Sequence, residues 1–127
     1  MGLNLCASGY KETLKIGYGG FMYVRTQIAK AYSEKHGKLY AELAKNWRDM
    51  DMDEFDAKWS DGCDDDLDLL LWHSDCDGRL RPQECAKIYN ALAKLNVELE
   101  GDYKEFYDEL KNVLDHCRKR RVILFFY

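Results

Sequence analysis

The residues best suited to chemistry lie together in residues 73–84, which read His-Ser-Asp-Cys-Asp-Gly-Arg-Leu-Arg-Pro-Gln-Glu. Side-chain oxygens at alternate positions, a glycine for a sharp turn and a closing glutamate are the outline of a calcium-binding EF-hand loop. The calcium ligands on this pattern are Asp75, Asp77, the Arg79 carbonyl and Glu84. His73 occupies the first ligand position, where the motif has Asp, and no convincing partner loop exists. The segment therefore predicts an EF-hand-like helix-loop-helix, and either calcium or hydrogen bonds alone hold the loop.

Cysteine and histidine side chains in the same region allow two further chemistries. The candidate zinc ligands are Cys63, His73, Cys76 and Cys85. Their spacing matches no common zinc motif, and Cys85 falls on the apolar face of a predicted helix, where a free cysteine behaves as a small hydrophobe. An enzyme built on His73, Cys76 and Asp77 needs a hydrogen-bonded nucleophile and base, which nothing in the sequence indicates. We therefore expect buried thiols and a non-enzymatic protein, with calcium at the loop as the one cofactor that the sequence allows for.

A glycine-rich turn before a predicted helix offers a second kind of site. Exposed amides at a helix N-terminus attract anions, and an arginine side chain can form a fork onto phosphate or carboxylate. The predicted anion site consists of Tyr18, Gly19, Gly20, Arg25 and His73. The alternative is a packed helix start with a solvated Arg25. The run Arg118–Arg121 likewise allows an anion or nucleic-acid patch, but we favour the alternative that its positive charge complements a helix C-terminus without any ligand.

The amino-acid composition limits which fold classes and which binding partners are expected. The chain has 127 residues, of which 46% are apolar and 33% charged, with a single proline. These values predict one mostly helical domain over residues 1–127. The net charge of -4 argues against general nucleic-acid binding, which favours a basic face. No apolar run approaches a membrane span and no secretory start is recognisable, so we expect a cytoplasmic protein with reduced cysteines.

Strand patterns occur near both ends of the sequence. Residues 3–8 alternate apolar and polar side chains, residues 13–16 are a short second candidate, and residues 122–127 form a β-branched and aromatic run. Because a lone strand cannot satisfy its backbone groups, we predict that the N- and C-terminal strands pair. Five or six helices would pack on one face of this small antiparallel sheet, giving an α+β fold. The first helix is expected to begin near Phe21 and to stop at Gly37.

With these motifs in place, the chain resembles a loose group of small, functionally uncharacterised bacterial and phage-type proteins. The features are the Met-Gly-Leu start, the spacing of Gly20, Phe21 and Arg25, and the block of residues 73–78. The resemblance implies an intracellular protein without an established activity. By analogy with phage proteins that sequester nucleotide signals, we expect a non-enzymatic protein that binds a small anionic or nucleotide ligand. The alternatives are a calcium- or metal-binding domain and a protein–protein interaction module.

Overall fold

A computed structural model of the protein describes residues 2–62, 65–74 and 77–127. The described residues form six α-helices, one short 3-10 helix and four strands. In chain order the elements are β1 (Gly2–Ala7), β2 (Leu14–Gly17), α1 (Tyr18–Tyr32), α2 (Glu34–Asn46), the 3-10 helix (Trp47–Asp49), α3 (Met52–Ser60), α4 (Asp65–Leu71), β3 (Gly78–Leu80), α5 (Pro82–Ala93), α6 (Gly101–Arg120) and β4 (Leu124–Phe126). The predicted α+β fold is confirmed. Within these ranges, no helix is both long and apolar enough to cross a membrane.

The sheet joins strands from both ends of the chain. Its order is β2-β1-β4-β3, and every neighbouring pair is antiparallel. Leu5 lies opposite Phe126, so the N- and C-terminal strands pair as predicted. β3 was not predicted, because three residues that include a glycine are too short to show alternation. It is defined by its partner, with Leu80 opposite Leu124.

One face of the sheet packs against the helices and forms one side of the hydrophobic core. Alternate residues of β1 and β4, including Leu5 and Phe126, are buried beneath the helices. Phe21 of α1 contacts the ring of Phe106 on α6 and the ring of Phe126, both edge-on with ring centroids 6.3 Å apart. Edge-to-face aromatic pairs add to the stabilisation that burial alone provides. The first and last strands are therefore held by the same core as α1 and α6.

The segment predicted as one helix from Phe21 to Gly37 is two helices. Ser33 has an extended backbone, and its N–H donates to the Ala29 carbonyl at the end of α1. Its Oγ accepts a hydrogen bond from the His36 N–H and so caps the start of α2. The prediction that Gly37 stops a helix is wrong, because Gly37 lies inside α2. A Cβ at this position would lie 2.7 Å from the Lys30 Cα, so the glycine permits α1 and α2 to approach closely.

Aromatic side chains fill a second layer between α2, α3 and α4. Tyr40, Phe55, Trp59 and Trp72 contact one another in this layer. The Tyr40 hydroxyl donates to the Leu71 carbonyl at 2.8 Å, and the Trp59 indole donates to Asp68 Oδ1 at 3.0 Å. Their polar atoms therefore have partners although the rings are packed. This layer fixes α4, which leads into the loop that the sequence singled out.

Candidate functional site

A buried arginine side chain donates hydrogen bonds to backbone carbonyls at the C-terminal end of α4. Arg25 of α1 is only 4% exposed. Its Nη1 donates to the carbonyls of Leu70, Leu71 and His73 at 3.4, 3.1 and 2.7 Å. The guanidinium carbon lies 4.2 Å from the centroid of the Phe21 ring. The last carbonyls of a helix lack hydrogen-bond partners within the helix and carry the negative end of its dipole. The Arg25 guanidinium donates hydrogen bonds to these carbonyls, and its positive charge complements the dipole.

The predicted anion site is divided between different surroundings. Arg25 and His73 do come together, but through the His73 main-chain carbonyl. The other three predicted residues, Tyr18, Gly19 and Gly20, form the first turn of α1. No described atom outside the helix start lies within 4 Å of where a Cβ on Gly19 would be, whereas a Cβ on Gly20 would lie 3.1 Å from the Ile16 side chain and 3.2 Å from the Tyr103 ring. Anion binding by these five residues stays a prediction, and the hydrogen bonds of Arg25 give that residue a structural role.

His73 is held on the inner side of the sheet. Its ring centroid lies 3.9 Å from that of Phe126. Nδ1 is 2.9 Å from the Ser74 carbonyl, and Nε2 is 3.2 Å from the Arg79 carbonyl. Both ring nitrogens thus lie within hydrogen-bond distance of a backbone carbonyl. The Arg79 carbonyl, which was a predicted calcium ligand, therefore faces the imidazole.

Glu84 is engaged at the start of α5. Its Oε1 accepts hydrogen bonds from the Arg81 N–H at 2.9 Å and from the Arg81 Nε at 3.3 Å. The backbone hydrogen bond from Arg81 holds the pKa of the Glu84 carboxyl below its usual value. This is the return half of a capping box, in which a third-position carboxylate satisfies the amide at the helix start. The Glu84 carboxylate, which is a predicted calcium ligand, thus has a structural partner in Arg81.

The metal and enzyme hypotheses depend partly on undescribed positions. Cys63, Asp75 and Cys76 lie outside the described residues. Asp77 is described, and its Oδ1 accepts a hydrogen bond from the Ser74 hydroxyl at 2.9 Å. Among the residues that the structure does describe, no group of three or more His, Cys, Asp or Glu side chains could hold a metal ion. Calcium binding, zinc binding and catalysis at this loop remain untested hypotheses.

The described thiols in the core agree with the expectation of buried cysteines. Cys85 of α5 and Cys117 of α6 are both fully buried. The hydrogen bond with the Cys117 thiol, together with burial, holds the pKa of Cys85 far above its usual range. Because the thiolate is the reactive form, Cys85 is an inert packing residue.

The basic run Arg118–Arg121 forms the C-terminal end of α6 and its capping residue. Arg118 and Lys119 each contact the Asp115 carboxylate, at 2.6 and 3.1 Å. Arg121 adopts the left-handed conformation with a φ of 58°, and its N–H donates to the Cys117 carbonyl. Positive side chains at this end complement the helix dipole. The structure therefore accounts for the run without a ligand.

The sheet has a second face that the helices do not cover. We define the open face as the outward-pointing strand residues Asn4, Cys6, Lys15, Arg79, Phe125 and Tyr127, with Gly2 and Gly17 at its end. Phe125 is 43% exposed and Tyr127 is 54% exposed. Large aromatic side chains at these fractions present their rings to solvent beside the middle of the sheet.

Two rows of side chains cross the open face. Lys15 lies opposite Asn4, and Asn4 exchanges backbone hydrogen bonds with Tyr127 at 2.8 and 3.0 Å. In the next row, Phe125 lies opposite both Cys6 and Arg79. No Asp or Glu occupies an outward position of the four described strands, and neither Lys15 nor Arg79 forms a salt bridge with a described residue. The face therefore carries two cations on a chain whose net charge is -4.

Comparison with known proteins adds no relative. No family model, curated protein or solved structure matches the chain. The resemblance to bacterial and phage-type proteins accordingly stays a prediction. The open face and the loop before α5 are therefore the two candidate sites of the described chain.

Sequence reasoning did not identify the open face as a site. The run Val122–Tyr127 has apolar side chains at every position, so alternation could not tell which of its residues point outward. The strand pairing shows which residues point outward, because Phe126 lies opposite the buried Leu5 and Phe125 lies opposite Cys6. The available signal was Asn4 and Cys6 in β1, whose partners across the sheet had to share their outward direction.

Proposed function

We propose that the protein is a non-enzymatic binding protein that holds a nucleotide-type ligand on the open face of its sheet. The observation that carries the proposal is the placement of Phe125 and Tyr127 beside Lys15 and Arg79, without an outward carboxylate in the four strands. This keeps the ligand class expected from the sequence and moves the site from Arg25 to the sheet.

The chemistry of a nucleotide matches both kinds of side chain on the face. A nucleobase stacks on an exposed aromatic ring with a gain of about 1–3 kcal/mol per base. The phosphate group attracts Lys15 and Arg79, and a guanidinium can contact it with two parallel hydrogen bonds. Arg25, by contrast, is buried and hydrogen-bonded to three carbonyls.

Titration of adenosine diphosphate into isotope-labelled protein tests the proposal. We expect amide NMR shifts to change along β1, β4 and β3, because the probe would lie across these strands. Phe125→Ala should weaken binding about tenfold, which corresponds to losing one stacking contact. Arg79→Ala should weaken it through loss of the phosphate contact.

The matched control for the aromatic variant is Trp47→Ala. Trp47 is 58% exposed but lies in the 3-10 helix after α2, away from the sheet. We expect this variant to bind as the wild type does. Shift changes confined to the helices, or equal losses in Phe125→Ala and Trp47→Ala, would contradict the proposed site.

A further inference from the structure

We infer that the ligand of the open face is a single-stranded nucleic acid of two or more nucleotides. The inference rests on the proposed function and specifies its ligand. It follows from the spacing of the two rings, the separation of the two cations and the size of the face. It also revises the expectation drawn from net charge, because charge at a site is local whereas the value of -4 belongs to the whole chain.

The two aromatic rings are too far apart to serve one base. Phe125 and Tyr127 are alternate residues of the same extended segment and point the same way. Alternate strand residues are about 6.7 Å apart along the strand. A single base can cover one ring, and a second base in the same strand is needed to cover the other. Four-stranded sheets that stack two or three unpaired bases on exposed aromatics are an established means of reading single strands.

The two cations flank the rings on opposite sides. Arg79 is on the strand next to Phe125, and Lys15 is two strands away from Tyr127. With strands about 4.8 Å apart, the backbones that carry Lys15 and Arg79 are separated by roughly 14 Å across the sheet. A strand running diagonally over both rings would bring successive phosphates to both cations.

A second copy of the chain fits the same face poorly. Four short strands cover roughly 300 Å² of sheet, whereas a stable protein interface buries about 800 Å² on each partner. Two-fold pairing would also place a patch with two positive charges against itself, which is a repulsive arrangement. Charge and area both favour a narrow polyanion over a protein partner.

Fluorescence anisotropy with single-stranded oligouridylate and oligodeoxythymidylate tests the inference. The probes are a mononucleotide, a dinucleotide, a tetranucleotide and an octanucleotide of each type, with a duplex octamer as comparison. We expect the octanucleotide to bind at least about tenfold more tightly than the mononucleotide, because it engages both rings. The duplex should bind weakly, since its bases are already stacked. Parallel RNA and DNA series distinguish the two sources of the same chemistry.

Salt dependence gives a second readout. Two phosphate contacts to a single strand predict a slope of log K against log salt of about -1.4 between about 50 and 200 mM. Lys15→Ala should reduce the steepness by about 0.7, whereas Lys87→Ala, an exposed lysine on α5, should leave it unchanged. Tyr127→Ala supplements Phe125→Ala as a second ring variant, with circular dichroism to check folding.

The possible outcomes separate the two proposals. Equal affinities for the mononucleotide and the octanucleotide would overturn the present inference and leave nucleotide binding intact. No binding of any probe would overturn both. Oligonucleotide binding that Lys15→Ala, Phe125→Ala and Tyr127→Ala leave unaltered would place the ligand elsewhere and also overturn both. A dimer in sedimentation that dissociates in Phe125→Ala would identify the occupant as a second copy instead.

Discussion

Polar side chains in this protein bind the ends of helices. Arg25 donates to the last carbonyls of α4, Glu84 accepts the amide before α5, and Ser33 caps α2. Helix ends leave backbone groups without internal partners, so each of these side chains replaces water there. Arg25 and Glu84, which the sequence presents as candidate ligands, thus have structural roles in the fold.

Replacing Arg25 tests its structural role. Arg25→Ala would leave buried carbonyls of α4 without their cationic donor, and hydrogen bonds from charged groups contribute about 1.5–3 kcal/mol each. We expect the free energy of unfolding to fall by about 3 kcal/mol in urea denaturation. Arg48→Ala, at an exposed arginine in the 3-10 helix, is the control and should change it by less than about 0.5 kcal/mol. Equal stability of the two variants would show that the Arg25 hydrogen bonds are energetically unimportant.

Glu84 predicts a pH-dependent contribution to stability. Its pKa is lowered in the folded protein, so the carboxylate stabilises the fold above its unfolded pKa, about 4.3, and this contribution is lost as the pH falls through the folded pKa. At neutral pH, Glu84→Ala should cost about 1 kcal/mol, and the difference from wild type should shrink in acid. Urea denaturation between neutral and acidic pH measures it.

Glu84→Gln is the matched variant for that experiment. Glutamine keeps an acceptor for the Arg81 N–H but has no charge, so its advantage over alanine should not vary with pH. A wild-type advantage in stability that persists unchanged in acid would contradict the linkage.

Calcium added to the wild type and to Glu84→Gln tests the calcium hypothesis, which predicts a rise in melting temperature that depends on the carboxylate.

At the scale of elements, close contact between α1 and α2 depends on one glycine. Gly37 lies inside α2, and its Cα faces the backbone of Lys30. Local propensity favours alanine over glycine within a helix, so the glycine costs α2 some intrinsic stability. Packing against α1 outweighs that cost.

Gly37→Ala should therefore be destabilising although it raises helix propensity. The new methyl group would lie 2.7 Å from the Lys30 Cα, which is backbone, so one helix must move. We expect a loss of about 2 kcal/mol in the free energy of unfolding. Gly19→Ala in the first turn of α1 meets no atom within 4 Å and should be neutral or slightly stabilising. Thermal unfolding of the two variants measures these changes in stability. An unchanged melting temperature for Gly37→Ala would refute the close-packing role of Gly37.

Elements with strong local signals were predictable, whereas elements defined by distant contacts were not. The terminal strands have strand-forming residues over several positions, and Pro82 marks the start of α5 as expected. β3 has only Gly78–Leu80 and needs β4 to exist. The break at Ser33 was hidden because apolar spacing runs on through α1 and α2. For the site, residue types indicated possible ligands, but burial and hydrogen bonds that decide their roles arise only in the folded chain.

At the scale of the whole molecule, the two faces of one short strand have opposite roles. Phe126 is 2% exposed and contacts Phe21 within the core, whereas Phe125 lies on the open face. Successive strand residues point in opposite directions, so β4 both supports the core and presents the proposed ligand site. Stability and binding can therefore be altered separately at neighbouring positions.

The neighbouring phenylalanines give a direct test of that separation. Phe126→Ala removes a buried ring and should cost about 4 kcal/mol of unfolding free energy. Phe125→Ala removes an exposed ring and should cost less than about 1 kcal/mol. Denaturant titration of both variants measures the difference. Similar losses would mean that the open face is covered, or that the register of β4 is shifted.

The pairing of β1 with β4 also has a consequence for how the chain folds. Among the described elements, β1 is synthesised before all the others and β4 after all the others. Leu5 and Phe126 therefore meet only after about 120 intervening residues are closed into a loop, at an entropic cost of about 4 kcal/mol. Until then β1 has an unpaired edge, which can pair with other chains during synthesis. We expect the helices to form early and the strand from the far end of the chain to complete the sheet last, in the slowest step of folding.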